Sequence, residues 1–160
     1  MTPEALDFKA ECEQIHALLK AQDASIFDQV TQFKDWTIGD IIAHLHLWNI
    51  GADLSLNDPE AFTDFIRGAM TQLGTGKSHA EFQAAYFKGQ SAAEVFAAWT
   101  AYFPAMADRF YGVDPDRRVK WAGPGYVCSL LYHRAANGAL GPCASYFRCH
   151  GSGPHKCRPH

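Results

Sequence analysis

A histidine inside an apolar helical stretch is the first residue of this sequence that could do chemistry. In WTIGDIIAHLHLW, residues 36–48, His44 follows Ile41 by three positions and precedes Trp48 by four. This spacing places His44 on the apolar stripe of a helix, whereas His46 lies about 200° further round and is predicted to face outward. A neutral imidazole in a core needs a hydrogen bond, a carboxylate or a metal. From the residues alone, a hydrogen-bonded core histidine is favoured and a metal ligand is the alternative.

The C-terminal residues contain a second group of potential ligands. The stretch CHGSGPHKC supplies thiol and imidazole groups, but their spacing matches none of the common structural zinc patterns. Gly and Pro are frequent there, so an irregular end without a site is the favoured interpretation. The sequence has no GxGxxG, P-loop, GxSxG or HExxH motif, and nothing in it supports Ser/His/Asp or Cys/His catalysis. The potential tail ligands are Cys149, His150, His155 and Cys157.

Composition narrows the class of protein. The chain has 160 residues, 48% of them apolar, which suffices for one packed domain. A formal net charge of −3 gives no reason to expect nucleic acid or an anionic membrane as a partner, and no apolar run approaches the roughly 18–20 residues of a membrane helix. The first residues lack the pattern of a signal peptide. We therefore predict a cytoplasmic protein, in which the five cysteines would not normally form disulfides.

Helical periodicity and capping signals predict an all-α fold, because no strand alternation extends beyond a few residues. The second helix has the clearest start, with Thr37 as N-cap and Asp40 in its first turn. Short connections between substantial helices are typical of an antiparallel bundle. The inner face of the third helix is predicted to contain Phe62, Phe65, Ile66, Met70 and Leu73. The predicted helices span about residues 3–22, 37–54, 58–74 and 91–110, with a shorter one over 78–87.

The stretch WTIGDIIAHLHLW resembles the N-terminal metal-binding domain of mycothiol-dependent maleylpyruvate isomerases, part of the DinB-like four-helix bundles. In that family a Trp-Thr start opens a helix reading D-x-I-A-H-L, whose His is a metal ligand and corresponds to His44. DPEAF, a later Ser-capped helix with a Trp, and DRRVKWAGPG match in the same order. The resemblance covers residues 1–125 and implies an antiparallel DinB-like four-helix bundle over that range.

The chain departs from the family pattern at two places. Asn49 lies near a position where the family often has Asp. The family's final helix contains A-R-x-M-E-T-W-A-H-G-Q, and its Glu and His, four residues apart, complete the metal triad. This chain has YVCSLLYHRAANGALGPCASYF there, without a Glu and with helix-breaking Gly and Pro. His133 is a possible substitute ligand, but no geometric argument supports it.

A shift of reading frame would account for the second departure. Residues 126–160 contain no Asp or Glu, and four of the five cysteines lie there. Reading from the second base of the Tyr126 codon permits MSVRSSITARQMERWAHAQAIF, which restores the family's final helix with its Glu and His. We therefore interpret residues 126–160 as an atypical, out-of-frame tail after a helical domain over 1–125.

The resemblance also implies a chemistry for an intact relative. His44, with a Glu and a His from the final helix, would hold a divalent metal, zinc being expected, and leave a position open for a low-molecular-weight thiol. The thiol would attack an electrophilic substrate, giving isomerisation or thiol transfer. This chain keeps one of the three ligands, so we predict weak or absent metal binding and leave open whether it is an enzyme. The alternatives are a non-catalytic metal- or ligand-binding bundle and a non-functional frameshifted product.

Overall fold

The computed structural model describes residues 3–114, 116–121 and 123–127 and is predominantly helical. The predicted helical class is therefore confirmed for this part of the chain, while the antiparallel four-helix arrangement stays a prediction. The α-helices are α1 (Pro3–Leu19), α2 (Ile38–Asn57), α3 (Pro59–Gly74), α4 (His79–Tyr86) and α5 (Ala92–Tyr111). A 3-10 helix, Ala24–Asp28, precedes α2, and β1 (Arg118–Trp121) and β2 (Gly123–Val127) form an antiparallel hairpin.

The hairpin is a feature that the sequence analysis missed. Each strand is too short to show an alternating pattern. The hairpin is joined to the end of α2, because Ser55 Oγ donates a hydrogen bond to the Lys120 carbonyl oxygen. Arg117 Nη2 donates a second one to the Leu56 carbonyl oxygen at 3.1 Å. The segment after α5 is therefore bound to α2 by side-chain to backbone hydrogen bonds.

Capping boxes define where α2, α4 and α5 begin. Thr37 Oγ1 accepts a hydrogen bond from the Asp40 amide at 3.0 Å, and Asp40 Oδ2 accepts one from the Thr37 amide at 2.9 Å. These bonds satisfy amide groups that have no partner within the helix. The predicted pairs Ser78–Glu81 and Ser91–Glu94 make the same reciprocal contacts. The helix starts are thus encoded locally, within four residues each.

The core lies around α2, which packs against α3, α4, α5 and β1, while α1 packs on α5. The predicted stripe of α1 is confirmed, since all its members are buried: Phe8, Cys12, Ile15 and Leu19. The predicted inner face of α3 is wrong at Met70, which is 50% exposed. Ala69 is buried in its place, together with Phe62. These two residues are seven positions apart, so α3 turns a narrower stripe toward α2 than its apolar pattern indicates.

A tight turn before α2 positions Trp36. Lys34 and Asp35 both have positive φ angles, 50° and 56°. The Trp36 amide donates to the Phe33 carbonyl oxygen at 2.9 Å, which closes the turn between them. Two successive residues with positive φ are typical of the mirror-image turns that connect hairpins. The turn directs the chain back, so that Trp36 lies directly before the N-cap of α2.

Gly39 allows the start of α2 to approach its neighbours closely. A Cβ atom at this position would lie 2.9 Å from Ala92 Cβ and 3.1 Å from the Phe27 carbonyl oxygen. The second contact is with backbone, so it cannot be relieved by rotation of a side chain. The first turn of α2 therefore depends on a glycine for its contact with α5 and the 3-10 helix.

We expect Gly39→Ala to lower the free energy of unfolding by about 1–3 kcal/mol, because the added methyl group overpacks this contact. Gly68→Ala is the matched control: it lies on the exposed side of α3 with no atom within 4 Å of an added Cβ. That change should stabilise the protein by about 0.5–1 kcal/mol through helix propensity. Urea unfolding followed by circular dichroism measures both values. A Gly39→Ala variant as stable as the parent chain would contradict the packing argument.

Candidate metal-binding site

His44 lies in the middle of α2 and is 3% exposed. Its ring meets two indole rings edge-on, with centroid distances of 5.2 Å to Trp36 and 6.0 Å to Trp48. Trp36 comes from the turn before α2, and Trp48 lies one helical turn after His44. The predicted burial of His44 on the inner side of α2 is confirmed.

Gln83 of α4 determines which nitrogen of His44 carries hydrogen. Gln83 Nε2 donates a hydrogen bond to the Asp40 carbonyl oxygen at 3.1 Å, so Gln83 Oε1 faces His44 Nδ1 at 2.8 Å. An amide oxygen can only accept, so Nδ1 of His44 is the protonated nitrogen. The lone pair of the neutral ring is therefore on Nε2. Histidines that bind metals are commonly oriented in this way, by a hydrogen bond from the other nitrogen.

The surroundings keep His44 uncharged. Burial lowers its pKa to about 4, and the nearby His79 and Lys34 act in the same direction, while the hydrogen bond with Gln83 opposes them. His44 is thus a neutral imidazole at physiological pH. This is the form in which a histidine can donate an electron pair to a cation.

His79 is a second imidazole at this place, and the sequence analysis did not identify it. It is the first residue of α4, and its ring centroid lies 5.9 Å from that of His44. Its Nδ1 is buried and has no hydrogen-bond partner in the described part of the chain. The signal in the sequence is the stretch HAEFQ, in which His79 and Gln83 are four positions apart and share one face of α4.

The prediction that His46 faces outward is wrong. His46 is 6% exposed, and its ring stacks on Phe87 with a centroid distance of 5.4 Å and an interplanar angle of 9°. Tyr102 of α5 meets the same ring edge-on at 5.4 Å. The helix period assigns one buried face, but α2 is enclosed from several sides and has no solvent face at this position.

Asn49 has a structural role. It is buried, and its amide group lies 3.2 Å from both the Leu45 carbonyl oxygen and Trp99 Nε1. An indole N–H can only donate and a carbonyl oxygen can only accept, so we assign the amide oxygen to the Trp99 side and the amide nitrogen to the Leu45 side. The side chain therefore connects α2 with the core of α5 and satisfies a buried indole N–H.

A small cleft of about 150 Å³ lies next to Gln83. It is bordered by the starts of α2 and α5 and by α4, and its polar lining consists of Asp28, Thr37, Asp40, Gln83 and Gln90. Gln83 forms part of the wall of this cleft, and the same side chain contacts the imidazole of His44.

A metal site with three protein ligands is not present in the described ranges. No three His, Cys, Asp or Glu side chains within residues 3–114, 116–121 and 123–127 are grouped so that they could hold a metal ion. The predicted tail ligands and His133 lie outside the described residues. What the structure does bring together is one buried neutral imidazole, its orienting amide and a second imidazole.

A helical protein with a buried, oriented histidine of this kind fits the class implied by WTIGDIIAHLHLW, and comparison with known families agrees. The sequence model that defines the mycothiol maleylpyruvate isomerase N-terminal domain family matches residues 8–136 of this chain. The chain belongs to this family. The match continues beyond residue 125, where we expected the resemblance to end. No curated protein and no solved structure gave a significant match.

No helix in the described part of the chain is long and apolar enough to cross a membrane. The cytoplasmic location stays a prediction.

We expect the free energy of unfolding to fall as the pH decreases from about 6.5 toward 4. Burial lowers the pKa of His46 from 6.5 to about 4, and Tyr102 is the titratable group that faces its ring. The unfolded chain therefore takes up a proton at a higher pH than the folded chain, and stability is lost over that interval. His44 contributes in the same direction.

His46→Phe keeps an aromatic ring against Phe87 and removes the proton-binding site. The loss of stability between about pH 7 and pH 5 should be smaller in this variant than in the parent chain. Urea unfolding at both pH values measures the difference. An equal loss in the two proteins would show that His46 is not buried as a neutral ring.

Proposed function

We propose that this chain is a metal-binding DinB-like protein in which His44 binds a divalent cation, with zinc expected. The observation that carries this proposal is the hydrogen bond from His44 Nδ1 to Gln83 Oε1 at 2.8 Å, which leaves the Nε2 lone pair available. Membership of the mycothiol maleylpyruvate isomerase N-terminal domain family supports it. A low-molecular-weight thiol and an electrophilic small molecule are the proposed partners, and thiol-dependent isomerisation or transfer is the proposed ancestral reaction.

The candidate site offers one ligand atom suited to a divalent cation, the Nε2 atom of His44. An imidazole nitrogen suits zinc and its neighbours among the transition metals. His44 supplies one such nitrogen in its neutral form, and the indole rings of Trp36 and Trp48 shield its ring from water. A bound divalent cation would supply the positive charge that favours a thiolate over a thiol. Gln83 holds the ring in place, so that Nε2 needs no reorientation before it donates.

Binding should be weak. One imidazole does not hold zinc tightly, and the Glu and His of the family's final helix are not encoded in the tail as written. Lys34 adds a positive charge close enough to act on both His44 and His79, and this charge opposes a bound cation. The same charge would attract an anionic partner such as a thiolate.

Two other functions are distinguished from this one by simple measurements. A non-catalytic metal- or ligand-binding bundle would bind the cation but not convert thiol adducts. A non-functional frameshifted product would show exposed apolar surface and a low melting temperature. Sequencing the coding DNA across codons 115–145 tests the out-of-frame interpretation of residues 126–160 directly.

The purified chain, prepared without added chelator, should contain much less than one equivalent of zinc, and titration with Co²⁺ should show weak, saturable binding. His44→Gln should abolish the saturable phase, because it removes the buried imidazole. His16→Gln is the matched control, since it removes a histidine of α1 and should leave binding unchanged. Isothermal titration calorimetry and visible absorption measure binding. Near-stoichiometric zinc after purification would contradict weak binding, and an unchanged titration of His44→Gln would contradict the site.

A further inference from the structure

We propose that His79 is a second ligand of the cation, so that the two imidazoles of His44 and His79 form a binding site between α2 and α4 for zinc or a similar borderline transition metal. This inference rests on the proposed function, because it requires that His44 binds a cation. It differs from the arrangement that the family implies, in which the other ligands come from a helix after residue 125.

The distance between the two rings fits a shared ion. Their centroids are 5.9 Å apart, and their planes are inclined by 71°. Two imidazoles that bind one zinc ion at about 2.0–2.1 Å from each nitrogen have centroids roughly 5–6 Å apart. The separation of the two rings is therefore compatible with one nitrogen of each ring binding the same ion.

His79 also has a buried nitrogen that lacks a partner. Its Nδ1 makes no hydrogen bond in the described part of the chain. Buried polar atoms are nearly always satisfied, so an unsatisfied one calls for an explanation. Nδ1 of His46 also lacks a partner among the described residues, and what distinguishes His79 is its position beside the oriented ring of His44.

The position of His79 is determined by two independent sets of contacts. The Ser78–Glu81 capping box begins α4 at His79. One turn later, Gln83 binds to His44 and to the Asp40 carbonyl oxygen of α2. His79 and Gln83 lie on the same face of α4, so the bonds that hold Gln83 also hold His79 toward α2.

His79 is the more accessible ring of the pair. His44 is almost fully buried, whereas His79 is partly exposed at the start of its helix. Trp36 covers both rings from one side, with centroid distances of 5.2 Å to His44 and 6.3 Å to His79. An ion would therefore reach the pair from the side of His79.

The test is titration of the full chain with Co²⁺, comparing the parent, His44→Gln, His79→Gln and the control His16→Gln. We expect His79→Gln to weaken Co²⁺ binding at least about tenfold, since even loss of a hydrogen-bonding partner of a ligand weakens metal binding by that much. Affinity in His79→Gln equal to that of His16→Gln, with binding lost in His44→Gln, would overturn this inference and leave the proposed function standing. Absence of saturable binding in the parent chain would overturn both.

A second measurement decides the question if His79→Gln does not fold. In the parent chain labelled with ¹⁵N, one ring-nitrogen signal of His44 and one of His79 should shift together at the same concentration of diamagnetic Zn²⁺, while those of His16 stay unchanged. A response of His44 without His79 would overturn the inference.

Discussion

The hydrogen bond between His44 and Gln83 is the interaction on which the candidate site depends. It joins α2 to α4 across 39 positions of the chain and is buried. Without it, Nδ1 of His44 would be left unsatisfied in the core, at a cost of about 1–3 kcal/mol. Because the other end of the Gln83 amide is bound to the Asp40 carbonyl oxygen, the ring of His44 has one favoured tautomer. The same contact therefore contributes to stability and fixes the ring orientation that the proposed cation binding requires.

The elements around His44 and Gln83 position the residues that surround this contact. The turn at Lys34 and Asp35 delivers Trp36 onto His44, and the capping box that starts at Ser78 sets the position of α4. Burial then keeps the imidazole uncharged, which a metal ligand requires. The family that the chain belongs to is named for a thiol-dependent isomerase domain. The neutral, oriented ring of His44 favours the proposed binding of a cation, whereas the positive charge of Lys34 opposes it and would favour an anionic partner.

Local features of this protein were predictable from the sequence, and long-range ones were not. The start of α2 follows from Thr37 and Asp40, which contact each other three residues apart. The burial of His44 follows from its position on the apolar stripe. The burial of His46 could not be predicted in this way, because the helical period of α2 does not show that several elements enclose this helix. The short distance between His79 and His44 depends on how α4 packs against α2. The sequence of α4 alone does not predict this packing. The hairpin after α5 was missed because its strands are only four and five residues long.

The most direct test of this account is the protonation state of His44 in the free protein. Long-range ¹H–¹⁵N correlation spectra of the histidine rings at about pH 7 distinguish the two neutral tautomers from the charged ring. We expect a neutral His44 with hydrogen on Nδ1 and a lone pair on Nε2, and a shift of the Nε2 signal when Zn²⁺ is added. A charged ring, or hydrogen on Nε2, would contradict the orientation by Gln83 and with it the proposed role of His44.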